Sequence, residues 1–175
     1  MNIRLVLLFL SCLMVLSCNE DTNTTKDLET SENTSQNKKI TAKTIEAITY
    51  EDYALSSEAE AEVVTWERYH ELATQLSYLK KADFSFFNGD IDLLKKFIKE
   101  FDAQMPSQFR TNPIISRNAI IETELLKLNE NLTIDNISRD EKLLNIKALF
   151  ISFSNLNYQI NKKLEDDFYS KIQPE

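Results

Sequence analysis

His70 is the only imidazole in the chain, and Cys12 and Cys18 are its only thiols. These counts restrict nucleophilic and metal chemistry at once. A Ser–His pair would have to use His70, and no serine sits in a nucleophile-elbow motif. Glu67-Arg68-Tyr69-His70 spells Glu-x-x-His. On a helix that spacing sets a carboxylate and an imidazole on one face, and two copies hold a di-iron pair in helical bundles. A second copy needs a second histidine, so Glu67 and His70 are expected to meet at a helix rim rather than to hold a metal. Haem attachment through Cys-x-x-Cys-His is ruled out by the cysteine positions. Of the methionines, Met1 and Met14 lie at the extreme N-terminus, which leaves Met105 alone and excludes a Met-rich copper site. No catalytic residue, metal or cofactor is expected.

Carboxylates are the remaining chemical resource. Glu58, Glu60, Glu62, Glu67 and Glu71 crowd one stretch. A glycosidase pair is compatible with their type, but negative charge near a helix N-terminus is favoured by the helix dipole, and a solvated acidic face is expected. Asn118 and Asn157 interrupt otherwise apolar stripes, and Arg117 and Glu124 stand at the edge of the same stripe as Asn118. Two buried amides that hydrogen-bond each other would fix helix register. The functional reading of the same residues is a polar ligand pocket inside a bundle. The formal net charge of −8 lacks the basic surface that phosphate backbones require, so nucleic acid is not an expected partner. Lys162-Lys163 is balanced by Glu165, Asp166 and Asp167, as on a solvated helix face.

The elements that must position these groups follow from one count. The 175 residues include one Gly and three Pro. Sandwiches, barrels and phosphate-cradling folds need many tight turns or Gly-rich loops, so an all-α protein is expected. Helix 1 is predicted over 58–82, opened by a Ser57/Glu60 capping box, with Tyr69, Leu72, Leu76 and Leu79 at three- and four-residue steps. Asp83 to Gly89 reads as a turn. Helix 2 is predicted over 91–105, capped by Asp90, with Ile91, Leu94, Ile98, Phe101 and Met105 as its stripe and Pro106 ending it. Helix 3 is predicted from Pro113 with Asn112 as cap. Helix 4 opens with Ser138 and Glu141 and extends to Ile172, its stripe running from Leu143 to Phe168. Short loops favour antiparallel neighbours, so residues 57–172 are read as an antiparallel four-helix bundle. A three-helix core braced by helix 2 is the alternative. Residues 44–56 form either a short helix or an extended arm that packs Ile45, Ile48, Tyr50 and Tyr53 on the domain.

The N-terminus reads as an address. Arg4 precedes an uncharged, largely apolar run, Leu5 to Leu16. Spanning a bilayer takes roughly 20 apolar residues. The run instead fits the h-region of a secretory signal, about 7–15 residues long. It ends at Val15-Leu16-Ser17-Cys18, followed by Asn19, Glu20 and Asp21. A small residue directly before such a Cys resembles the lipobox of bacterial lipoproteins. The resemblance implies that residues 1–17 are a cleaved signal peptide. It further implies that the Cys18 thiol carries a diacylglycerol and that the new amino terminus is acylated, as by palmitate. Several acyl chains anchor a protein stably, where one chain holds it only marginally.

Residues 18–43 are poor in apolar side chains and rich in Thr, Asn, Ser, Glu and Lys, the composition of a disordered tether. Glu20 and Asp21 resemble a surface-export signal in lipoproteins of the Bacteroidota; a charge pair in a solvated linker fits them equally. Lipobox-like segment, tether and Asn/Lys/Glu-rich helical body together resemble small helical lipoproteins of that group. The expected location is the bacterial cell envelope, attached to the membrane by lipid, at the outer membrane and with surface exposure as one variant. The expected function is non-enzymatic: a helical bundle presented for protein or ligand binding. The alternatives are an accessory subunit of an envelope complex, with an envelope protein as partner, and an envelope hydrolase or metal-binding protein.

Overall fold

The structure is a computed structural model and describes residues 39–172. Cys18, the signal segment and almost all of the tether lie outside the described residues. Within them the protein is all-α, with no strand. Six α-helices follow in order: α1 Ala42–Glu46, α2 Ser57–Glu62, α3 Glu67–Lys80, α4 Ile91–Ala103, α5 Asn112–Thr133 and α6 Arg139–Ser170, with a 3₁₀ turn at Ser107–Phe109 before α5. No helix among the described residues is long and apolar enough to cross a membrane.

Cross-helix pairs give the directions of the long helices. Only residues 134–138 separate α5 from α6, and the two pack along the most extensive seam among the described residues, so they run antiparallel; Asn131 and Glu124 both bond Asn145 across it. On the other side of α6, Tyr69 meets Asn157 and Phe153 while Lys80 lies over Phe150, which makes α3 antiparallel to α6. α4 packs against both α3 and α5. This arrangement is compatible with the expected helical bundle. Trp66, Leu72 and Leu79 meet Phe87, Phe109, Ile114, Leu128, Ile146 and Leu156 in one core, all at 0% exposure.

Helix 1 of the sequence reading is two helices. The chain turns at residues 63–66, where the Trp66 N–H donates to the Val63 carbonyl at 2.8 Å. Ala59, Val63 and Trp66 are all completely buried. The turn swings the indole under α4, where Nε1 donates to the Phe101 carbonyl at 2.7 Å. Burial of so large a ring with its one polar atom satisfied outweighs the main-chain bonds lost at the break. α3 recovers one of these across the seam: Gln104 Oε1 accepts from the Arg68 N–H at 3.0 Å. The cap of α2 is Ser56, whose hydroxyl accepts from the Ala59 N–H at 3.2 Å, rather than Ser57.

Other boundaries hold more closely. Asp90 accepts from the Asp92 and Leu93 N–H groups, and Ser138 from that of Glu141. α5 begins one residue early, at Asn112, with Thr111 in the cap position. Phe168, expected in the α6 stripe, is 62% exposed, because the last turns of α6 run past the core. The single Gly does not supply a left-handed turn. Gly89 has ordinary φ, and the positive φ values belong to Ala82 (62°) and Asn136 (70°). Ala82 closes α3 in a Schellman motif: the Asp83 N–H reaches the Tyr78 carbonyl and the Ala82 N–H that of Leu79.

Residues 44–56 prove to be both of their expected forms. α1 buries Ile45, and the chain then runs extended along α6 with Ile48 and Tyr50 half-buried. Tyr53 is more exposed than expected and packs against Tyr158 with the rings tilted at 44° and their centroids 5.0 Å apart.

Candidate functional site

A cleft of about 360 Å³ lies between α3, α4 and the 81–90 loop. α3 sets Arg68 and Glu71 one turn apart, and α4 brings Lys96, Phe97 and Glu100 to the facing wall. The Arg68 guanidinium bonds both Glu71 and Glu100, joining the two helices. Lys96 Nζ lies 3.9 Å from the other oxygen of Glu100. The guanidinium carbon is 5.5 Å from the Phe97 ring centroid, and Phe86 packs edge-on against Phe97 at 5.0 Å. Glu71 first, then Glu100, raises the Arg68 pKa against the opposing effect of burial, so the charge is held firmly. The cleft thus has an aromatic floor, an ion-paired rim and, beside it, exposed Leu93. Glu71 and Glu100 share the Arg68 guanidinium, and Lys96 stands beside Glu100 at the same rim.

A second, smaller cleft of about 120 Å³ sits between the arm, α3 and α6. Lys80 Nζ lies 5.7 Å from the Tyr50 ring centroid and 5.6 Å from that of Phe150, and pairs with Asp52 at 3.0 Å. Beside it, three α6 side chains bond the arm solely through its main chain. Ser154 Oγ accepts from the Tyr53 N–H at 2.8 Å and donates to the Glu51 carbonyl at 2.6 Å. Asn157 donates to the Tyr53 carbonyl at 2.9 Å. Asn161 donates to the Ala54 carbonyl at 2.8 Å and accepts from the Ser56 N–H at 2.9 Å. This ladder fastens the arm lengthwise to α6.

A third cleft, about 170 Å³, opens between α4 and α5 and has Asn118 in its wall.

The residues singled out from sequence are dispersed. Asn118 and Asn157 do not bond each other, which corrects the register reading. Asn157 accepts from the Tyr69 hydroxyl at 2.7 Å, while Asn118 reaches only the Met105 sulfur at 3.5 Å. Glu124 belongs to the α5–α6 seam through Asn145. His70 Nε2 lies 3.1 Å from the Val63 carbonyl. The carboxylate cluster is divided by the turn at 63–66: Glu58, Glu60 and Glu62 sit on α2, and of Glu67 and Glu71 on α3 only Glu71 lines the large cleft. No group of three or more His, Cys, Asp or Glu among the described residues is arranged to hold a metal ion. Lys162 pairs with Glu165 and Lys163 with Asp167, so both lysines of that run are paired within it. Arg68, Glu100, Lys80, Ser154 and Asn161 escaped the sequence reading. Only Ser154 and Asn161 carried a signal, as polar residues three before and four after Asn157.

Comparison of the chain with protein-family models, with curated proteins and with solved structures found no match.

Proposed function

We propose that this protein is a non-enzymatic lipoprotein of the bacterial cell envelope, held at the membrane through lipid on Cys18, whose helical body is a binding module. The observation that supports binding is the α3–α4 cleft. It combines an aromatic floor, the Arg68–Glu71–Glu100 triad and exposed Leu93 in one concave surface. Concave sites of mostly apolar lining with a few convergent polar groups are the usual form of ligand pockets. A photo-crosslinking amino acid at position 93, in the native envelope, tests it. The expected result is a discrete adduct from position 93 and none from position 127, which is exposed on α5. Equal labelling at both positions, or none at 93, would contradict the reading.

A second reading, an accessory subunit of an envelope complex, is favoured by the far end of α6. Arg139, at the start of α6, bonds Thr44 of α1 at 3.3 Å, so the described chain enters there. At 1.5 Å per residue, Phe168 lies about 44 Å further along the helix. Phe168, Tyr169 and Ile172 are 62%, 61% and 57% exposed and form an apolar tip remote from the point of entry. Loss of a co-purifying envelope protein on a Phe168→Ser/Tyr169→Ser change, with the cleft intact, would select this reading over the first.

A further inference from the structure

We propose that the α4–α5 cleft binds a small primary ammonium on an aliphatic stem, with Asn118 accepting its hydrogen bond and Asp102 and Glu122 holding its charge. The inference stands independently of the α3–α4 cleft.

Asn118 occupies a stripe position between Ile114 and Ile121, whose exposures are 0% and 1%, and is itself 6% exposed. A side-chain amide so placed is stable when both its ends are paired, as those of Asn157 are. In Asn118 the Oδ1 atom is buried with no partner, and Nδ2 meets only the thioether of Met105, a weak acceptor. An aliphatic residue would remove that cost, so packing alone does not account for the amide.

The surroundings of Asn118 specify what would pair with it. Ile98, Phe101 and Leu125 give the cleft apolar walls, and Asp102 and Glu122 stand at it on opposite helices. Neither carboxylate is ion-paired among the described residues. Arg110, close by, directs its guanidinium to the Asp102 and Ala103 carbonyls at 2.8 and 3.1 Å. A buried acceptor, apolar walls and two carboxylates complement a group with N–H donors, positive charge and a hydrocarbon stem. A carboxylate ligand would meet like charge, and an alcohol would gain the hydrogen bond without the ionic attraction. About 170 Å³ suits a small amine rather than a drug-sized ligand, whose sites run to about 300–1,000 Å³. Oδ1 is shielded from water, so binding includes a turn of the amide toward the cleft it lines.

Titrating the intact ¹⁵N-labelled chain in neutral detergent with n-butylammonium tests this. The Asn118 side-chain amide signal, assigned by its loss in Asn118→Leu, should shift saturably. n-Butanol should bind more weakly and butyrate not at all. Asp102→Asn/Glu122→Gln, which alters exposed groups only, should weaken ammonium binding by roughly fivefold. Asn118→Leu should abolish it while raising Tm. A non-saturable response, equal binding of butanol, unchanged affinity in the double carboxamide variant or retained binding in Asn118→Leu would each overturn the proposal.

Discussion

Tyr69 on α3 donates its phenolic hydrogen to Oδ1 of Asn157 on α6 at 2.7 Å, and Asn157 Nδ2 donates in turn to the Tyr53 carbonyl of the arm at 2.9 Å. One amide therefore joins three segments that are remote in sequence. Tyr69 is 5% exposed, and its ring stacks on Phe153 at 5.2 Å. The tie lies beside Lys80 and its two rings, so arm, α3 and α6 are fixed to one another by polar bonds laid over an aromatic layer.

The buried phenol makes stability fall in alkali. Burial first, and the negative charge of Glu60 second, push the Tyr69 pKa up. A tyrosine in the unfolded chain ionises near pH 10. Below that pH the phenol is neutral in both states and stability is independent of it. Above about pH 10 the unfolded chain loses the proton more readily than the folded one, so stability declines as pH rises. Tyr69→Phe should flatten part of that decline. At neutral pH it should cost about 1–3 kcal/mol, because Asn157 Oδ1 is left unpaired. Urea denaturation between pH 7 and 11 checks both signs.

The arm should loosen when its ladder is cut. Asn161→Ala removes bonds to the Ala54 carbonyl and the Ser56 N–H, and Ser154→Ala removes those to Tyr53 and Glu51. At roughly 1 kcal/mol per net hydrogen bond, each change should destabilise by about 1–2 kcal/mol. Amide hydrogen exchange should accelerate at residues 51–56 before it does in α5. Uniform acceleration through the body would show that the arm is not a separately fastened element.

Ala82 holds the left-handed position that ends α3, at φ 62°. A Cβ in that region costs about 1–2 kcal/mol, and glycine removes the clash at some expense in unfolded-state entropy. Ala82→Gly should therefore stabilise by about 1 kcal/mol, read as a higher urea midpoint at unchanged slope. Gly89, with ordinary φ and the nearest atom to an added Cβ at 3.4 Å, should accept alanine with little change.

The helical class and two caps, Asp90 and Ser138, were legible because they depend on composition and on contacts within one turn. The break at residues 63–66 was not. Ala59, Val63, Trp66 and Tyr69 continue the three- and four-residue spacing straight through it, since residues buried by a turn and residues buried by a helix leave the same pattern. Asn118 and Asn157 were visible as polar residues in apolar stripes, but their partners depend on the path of the arm and on the α4–α5 approach, which periodicity does not encode. Arg68 stood inside the Glu67–His70 motif without notice. Its role comes from Glu100, which is 32 residues away and reached only by packing.

The central claim is that lipid on Cys18 holds this helical body at the envelope, and intact-mass and peptide mass spectrometry of the native protein address it most directly. The expected result is a chain beginning at Cys18 with diacylglycerol on sulfur and an acyl group on the amino terminus. A chain with a free Cys18 thiol, recovered from the medium, would contradict it.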